Sequence, residues 1–395
     1  MIINPAQRIG SVKEYYFSTK LKEIARLRKA GHSILNLGIG SPDLAPAQTT
    51  IEQLVRQSRY QDNHAYQSYR GIPELREAFA QWYQRHFSVG LDPEKNILPM
   101  IGSKEGIMHI SMAFLEEGDE VLVPNPGYPA YRSTALLAGA RIRPYTLDAQ
   151  NDWLPNLKAL AEQDLSRVKI MWVNYPHMPT GARANHSFFE SLLRFAKEQQ
   201  ILICHDNPYS FILNEQAMSL LAIEGAEEVA LELNSLSKSH NMAGWRIGML
   251  AGHPDYLDAV MKFKSNMDSG MFKPLQLAAV EALAQPKEWY EKLNMVYRSR
   301  REKVYAIMDR LNCVYNKGQA GMFVWAQIPD HYQDAYQLSD ELLYGADVFI
   351  TPGGIFGSQG NRYVRISLCS EISIFEETIR RIDQHLAKST QKPQA

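Results

Sequence analysis

Between residues 96 and 252, short apolar runs alternate with helix-length segments, and this alternation constrains the chain more than any other feature. The runs at 120–123, 168–173, 201–204 and 247–252 are apolar on both faces, and amphipathic stretches separate them. A strand with two apolar faces must be covered on both sides, so the pattern predicts parallel strands buried under helices. Ahead of it, Phe17, Leu21, Ile24 and Leu27 recur at spacings of three and four and predict a helix over residues 15–30. A second helix is predicted from Pro73 to Phe87, with Leu75, Phe79, Trp82 and Tyr83 at helical spacing and the proline in a first turn that needs no donor from it. After the alternating region, residues 288–311 predict a long helix with Tyr290, Leu293, Tyr297, Val304, Met308 and Leu311 on one face. Strand candidates follow at 322–328, 348–351 and 363–368, then a helix at 372–386. The expected fold class is α/β, with a large domain built on a mainly parallel sheet over 46–284. A smaller α+β domain over 285–395 is joined by the N-terminal segment 1–45. The polar tail 388–395 is expected to be disordered.

Composition narrows the function classes. The 42 Lys+Arg residues nearly cancel the 43 Asp+Glu, which argues against a nucleic-acid or membrane-surface protein, since either needs a basic excess. No apolar stretch approaches the ~18–20 residues that span a bilayer, and the start MIINPAQRIGSVKEYY lacks the apolar core of a secretory signal. Cys204, Cys313 and Cys369 are odd in number and widely scattered, so neither a disulfide framework nor a close-spaced zinc motif is expected. The eleven histidines form no metal-spaced cluster, and no metal is expected. A reducing, cytoplasmic setting is the simplest expectation.

Three stretches carry chemistry. In Ser235-Leu236-Ser237-Lys238-Ser239, a lysine sits among small hydroxyl residues, with Arg246 eight positions on. A lysine becomes a nucleophile when burial or nearby positive charge neutralises its amine. Two serines and an arginine suit a phosphate, offering hydroxyl donors and a planar charged fork. Alone, a lysine such as Lys238 is a surface residue more often than not; the neighbouring residues are what favour chemistry. In Ile203-Cys204-His205-Asp206-Asn207-Pro208-Tyr209, an apolar strand runs into a carboxylate, placing Asp206 at the strand end where open α/β sheets bind ligands. A turn-capping Asp is the open alternative. Third, Ile101-Gly102-Ser103-Lys104-Glu105-Gly106 links a strand to a helix whose first N–H groups suit a phosphate.

Taken in order, these motifs resemble the class I/II aminotransferases of fold type I, which use pyridoxal 5′-phosphate (PLP); the resemblance runs from about Gly38 to Arg365. It implies that Lys238 forms the internal aldimine with PLP, that Asp206 pairs with the pyridine nitrogen, and that Tyr209 meets the 3′-oxygen. By the same resemblance Ser235, Ser237, Arg246 and the Ser103-Lys104 backbone hold the phosphate, and Tyr128 of Asn125-Pro126-Gly127-Tyr128-Pro129 stacks on the ring. Tyr66, in Tyr66-Gln67-Ser68-Tyr69-Arg70-Gly71, matches a tyrosine that reaches the phosphate of a neighbouring subunit, which implies a homodimer with shared sites. Arg365 matches the arginine that clamps the substrate α-carboxylate, and Gly40 a glycine beside that carboxylate.

The implied activity moves the amino group of an L-amino acid to a 2-oxo acid, with 2-oxoglutarate the expected acceptor. A C–S β-lyase on the same fold is the enzymatic alternative, and a non-catalytic PLP-binding homologue the third reading. One departure stands out. The family carries Asn before the Pro-Thr-Gly turn as a donor to the 3′-oxygen, whereas this chain has Met178, whose thioether cannot donate.

Other patterns are read structurally. Ser235-Leu236-Ser237-Lys238 fits Ser-x-x-Lys, but the companion motifs of β-lactamases are missing. The glycine-rich stretch 353–360 lacks the ending of a P-loop and is expected to be a mobile loop beside Arg365. Residues 298–303, with three arginines and a lysine, are expected to form a solvated helix face, and Lys262 and Lys264 to be solvated as well. Tyr15, Tyr16 and Phe17 are candidate apolar walls for a substrate side chain.

Overall fold

The computed structural model describes residues 3–12, 14 and 16–390. Tyr15 and the tail residues 391–395 lie outside the described residues. The strands, in chain order, are β1 (Leu35–Asn36), β2 (Ile97–Met100), β3 (Glu120–Asn125), β4 (Arg141–Thr146), β5 (Val168–Val173), β6 (Leu202–Asp206) and β7 (Ala230–Ser235). They continue with β8 (Gly248–Gly252), β9 (Val314–Tyr315), β10 (Phe323–Gln327), β11 (Val348–Phe349), β12 (Thr351–Pro352) and β13 (Tyr363–Ser367).

A seven-stranded sheet in the order β2-β8-β7-β6-β5-β3-β4 forms the larger layer. From β4 through β7 the neighbours run parallel, as the apolar runs predict. The run at 247–252 departs from that expectation: β8 is antiparallel to both β7 and β2. The physical reason is the short connection. Residues 236–247, which separate β7 from β8, hold just the short helix Leu236–Ser239 and a 3-10 turn, too little helix to cross the sheet to a parallel strand, so the chain turns back beside the strand it has just left.

Burial explains why these runs are strands. In β5, Ile170 and Trp172 point to one face and pack with Ile107 and Ile110 of helix Ser103–Phe114. Met171 and Val173 point to the other and meet Phe189 and Leu192 of helix His186–Gln199. Side chains alternate across a strand, so an unbroken apolar run buries both faces at once. Chain order reverses at β3, whose neighbours are β4 on one side and β5 on the other; such a switch opens a crevice at the strand ends.

A second sheet, β12-β13-β10-β9, is antiparallel, and β1 pairs in parallel with β11, so the N-terminal segment joins the C-terminal elements. Helix Pro73–Phe87 has the expected bounds; it begins on Pro73 and ends at Ser88 in the left-handed conformation. The helix predicted over 372–386 continues to Thr390, so residues 388–390 are helical rather than disordered. The 353–360 stretch is also corrected. It folds into two consecutive 3-10 turns, with Gly353 and Gly360 packed against each other's carbonyls so closely that neither has room for a Cβ.

Helix Lys287–Arg310 carries a further correction. Arg300, expected on a solvated face, is only 3 % exposed. It donates to both carboxylate oxygens of Asp43 at 2.7 and 2.8 Å and to the carbonyl of Leu368 at 3.0 Å. A bidentate pair of this kind ties the N-terminal segment to the C-terminal helices. Truncating Asp43 strands a buried guanidinium, which costs about 3 kcal/mol. Asp43→Ala is therefore expected to lower the urea midpoint clearly, and Arg300→Met, which leaves only a partly exposed carboxylate, to lower it less.

Candidate active site

Four strand ends deliver the site. β3 leads to Tyr128, β5 to Asn174 and Met178, β6 ends on Asp206 with Tyr209 just beyond, and β7 leads to Lys238. Together with residues of the N-terminal segment and the small sheet, they line a cavity of about 400 Å³. Of the residues singled out from sequence, Gly40, Ser103, Lys104, Tyr128, Met178, Asp206, Tyr209, Ser235, Ser237, Lys238, Arg246 and Arg365 are all brought together there. Tyr66 is not among them: it lies on the surface of the same protomer, 91 % exposed.

Asp206 has the most telling environment. One oxygen, Oδ2, accepts a hydrogen bond from the Tyr131 hydroxyl at 2.8 Å, while Oδ1 is buried with no hydrogen-bond partner. A buried carboxylate oxygen without a donor is unfavourable unless a ligand supplies one. Burial pushes this carboxyl up to about 6, opposed by the Tyr131 hydrogen bond and by the positive field of His205 and Lys238. Lys238 donates to the carbonyl of Gly40 at 2.6 Å. Burial, with Arg365 and Arg246 nearby, brings its ammonium down to about 8, against an opposing contribution from Cys369. An amine with that affinity for protons is uncharged in a useful fraction of molecules near neutral pH.

The phosphate-type ligands converge as well. Ser235 Oγ and Ser237 Oγ are 2.9 Å apart, and Arg246 Nη1 donates to Ser237 Oγ at 3.3 Å. Gly102, at φ +77°, lies so close to the Arg246 guanidinium that a Cβ would overlap it, so this turn demands glycine. Helix Ser103–Phe114 starts here, turning its first N–H groups toward the same space. PLP has a ring nitrogen that donates when protonated, a phosphate and an aldehyde. The lone Asp206 oxygen, this cradle and the low-affinity amine match the three in turn.

Arg365 is held in an aromatic enclosure. Its guanidinium carbon is 3.9 Å from the Phe323 ring centre, 4.6 Å from Phe356 and 5.6 Å from Phe17. It also donates to the Gly38 carbonyl at 2.8 Å and lies 3.3 Å from Met178 Sδ. A cation over aromatic faces keeps its charge while its edge remains able to pair with an anion. Gly40 backs onto Phe323 so closely that any Cβ would collide with the ring.

Sequence reasoning missed several residues. Tyr131, three positions after Tyr128 in the first turn of helix Pro129–Leu137, is stacked on Trp172 at 4.9 Å and holds Asp206. Its helical spacing from Tyr128 at a strand end was the available signal. Asn174 anchors the turn, donating to the Asp206 carbonyl at 2.6 Å and accepting from Met178 N at 2.8 Å. Ile39, Ser41, Leu21 and Phe323 also line the cavity. Of the three candidate wall residues, Phe17 lines it, Tyr16 packs on Phe17 and Tyr336 beside it, and Tyr15 lies outside the described residues. His177 does not stand in for the missing donor: it is buried against Thr180 at 2.8 Å, away from the cavity.

A doubly covered, mainly parallel sheet with lysine, aspartate and phosphate cradle at its strand ends defines a fold type I PLP-dependent transferase. The chain belongs to the class I and II aminotransferases, whose family model (Aminotransferase class I and II) matches residues 32–382. It is 39% identical to the LL-diaminopimelate aminotransferase of Dehalococcoides mccartyi, over 95% of this chain and 97% of that protein. It is 40% identical to the enzyme of the same name from Moorella thermoacetica, over 97% and 98%. Among solved structures, substrate-bound BacF from Bacillus subtilis superimposes with a TM-score of 0.92 at 36% identity, covering 97% of this chain and 98% of that one. The protein is thus a PLP-dependent transaminase that moves an amino group from an amino acid to a 2-oxo acid.

Two outcomes are expected. The rate at which cofactor-free protein takes up PLP should rise with pH through about 8, as Lys238 loses its proton, and affinity should fall below about 6, as Asp206 gains one. Stopped-flow absorbance across that range reads both. A thioether at position 178 gives a cofactor 3′-oxygen placed beside it no donor, where an amide would, and leaves that oxygen more basic. The pH midpoint of the cofactor's visible absorbance should therefore be higher in wild type than in Met178→Asn; equal or reversed midpoints would count against this role.

Proposed function

We propose that the chain moves the amino group of an L-amino acid to 2-oxoglutarate, with Lys238, Asp206 and Arg365 as the working centre. The observation that carries this reading is their convergence on one cavity, with an Asp206 oxygen left unpartnered inside it. Asp206 holds the proton on the ring nitrogen by favouring its charged form. Tyr131 keeps that carboxylate aimed. Tyr209 donates to the 3′-oxygen, and Tyr128 covers one ring face. Ser235, Ser237, Arg246 and the backbone of Ser103 and Lys104 hold the phosphate. When bound, the cofactor supplies an electron sink for the bonding pair released at the substrate α-carbon.

The remaining steps belong to the protein. Arg365 clamps the α-carboxylate bidentately and so fixes the direction of the Cα–H bond, with Gly40 leaving room beside it. Lys238 Nζ takes and holds the α-proton, a general-base role for which burial has prepared it. Phe17, Leu21 and Ile39 form an apolar wall that excludes water from this transfer.

The reading extends to assembly and setting. The chain divides near residues 45 and 284 into a large domain and a smaller one that includes the N-terminal segment. It works as a homodimer in the cytoplasm, each site receiving Tyr66 from the other copy. Tyr66, Tyr69, Met267 and Phe272 are exposed on two segments that pack together, since Gly270 lies against Gln67 and Ser68 and the His64 ring meets Phe272. Exposed apolar side chains grouped in this way suit a subunit interface. No helix among the described residues is long and apolar enough to cross a membrane.

The test is a donor panel with PLP-loaded protein. LL-diaminopimelate leads it because relatives at 39 and 40% identity carry that name. Product formation should require a 2-oxo acid and fall by about 10³-fold or more in Lys238→Ala. Ammonia and pyruvate formed without an acceptor would indicate elimination instead, and unchanged turnover in Lys238→Ala would discard the assignment.

A further inference from the structure

Outside the catalytic residues, the most unusual group of side chains is a buried charged cluster behind the phosphate turn. Glu105, His109 and Asp268 bring one ligand-type atom each within 4.8 Å of one another. His109 is 1 % exposed, and neither ring nitrogen has a hydrogen-bond partner, although Nε2 lies 3.3 Å from Glu105 Oε1. Lys264, expected on a solvated face, is instead 1 % exposed and paired with Asp268. Its ammonium already supplies the positive charge that a metal ion would bring to this group.

Each member reaches toward a different part of the site. Glu105 Oε2 accepts from the backbone N–H of Ile101 at 2.5 Å, which fixes the turn leading into Gly102 and Ser103. Asp268 Oδ1 accepts from Gly270 N at 3.0 Å, and Gly270, at φ +81°, lies against the carbonyls of Gln67 and Ser68 so tightly that no Cβ would fit. Helix Pro254–Lys264, which ends on the buried lysine, also carries Asp258, the ion-pair partner of Arg70. The cluster therefore holds the phosphate turn directly on one side and reaches the 66–70 segment through Gly270 on the other. The Glu105 and Asp268 carboxylates come within 4.8 Å of each other, with the Lys264 ammonium on Asp268 and one Glu105 oxygen left without a hydrogen-bond partner, so in this water-poor space a shift of either carboxylate changes the electrostatic energy of the other.

We propose that Glu105, His109, Lys264 and Asp268 are positioning residues that couple the phosphate turn to the surface bearing Tyr66, so that cofactor binding and self-association strengthen each other. This rests on the reading above that the turn holds the phosphate and that Tyr66 serves a second copy. Coupling of this kind is reciprocal: whatever factor the cofactor adds to dimer affinity, dimerisation adds to cofactor affinity.

Sedimentation equilibrium with and without PLP measures that factor in each variant. Because each variant is compared with itself, a uniform loss of stability does not change the ratio. In wild type PLP should tighten the dimer at least about tenfold. Asp268→Asn, which strands the Lys264 ammonium, and Glu105→Ala, which frees Ile101, should reduce this to under about threefold. Glu105→Gln keeps an oxygen for Ile101 and should recover most of the factor. Full coupling in Asp268→Asn and Glu105→Ala would overturn the proposal while leaving the dimeric reading intact. A wild-type protein that stays monomeric with PLP would overturn both. Equal tightening by zinc or calcium alone would assign the cluster as a metal site and overturn it too.

Discussion

A carboxylate taken out of water at the end of β6, with one oxygen held by Tyr131 and the other without a donor, sets the terms for everything around it. Such an arrangement persists only if the rest of the fold enforces it, because the isolated group would reorient toward solvent or take up a proton. The enforcement comes from the sheet. β6 is flanked by β5 and β7, Tyr131 is clamped against Trp172 of β5, and Asn174 binds the backbone carbonyl of Asp206. The hydrophobic burial that forms the parallel strands thus also prepares a polar site.

The same principle governs Arg365. Three phenylalanines, from the N-terminal segment, β10 and the 3-10 turn at Gly353–Phe356, surround its guanidinium. That enclosure explains why the glycine-rich stretch is an ordered pair of turns: Phe356 has a fixed place to occupy, and the close contact of Gly353 with Gly360 permits the bend. Composition alone read the glycines as freedom, whereas packing uses them for close approach.

Most of the large sheet was legible because two-faced apolar runs have few alternative uses, and strands β3, β5 and β6 lie within two residues of the expected bounds. Lys238, Asp206 and Arg365 were legible because each sits in a string of residues with a shared purpose. Tyr131, Asn174 and the buried charges were not. Asn174 differs from neighbouring amides only through contacts made across the fold, and the spacing of Tyr131 from Tyr128 gains its meaning only from the placement of Asp206 beside it. Arg300 and Lys264 read as solvated because charge is ordinarily outside, and only the placement of Asp43 and Asp268 reverses that default. The reversal of β8 was hidden for another reason: an apolar run states that a strand is buried but not which way it travels.

That reversal has its own consequence. Ser235 and Gly248 face each other across the β7–β8 pair, closing residues 236–247 into one stapled loop that contains both Lys238 and Arg246. The Lys238 amine and the Arg246 guanidinium are therefore set in one loop that tolerates little change in length. The Phe17, Leu21 and Ile39 wall comes from a separate stretch of chain, held by the pairing of β1 with β11 and by the Asp43–Arg300 pair. Because the wall and the loop come from different stretches of chain, a side chain at the mouth can change without altering the length of the loop at the base.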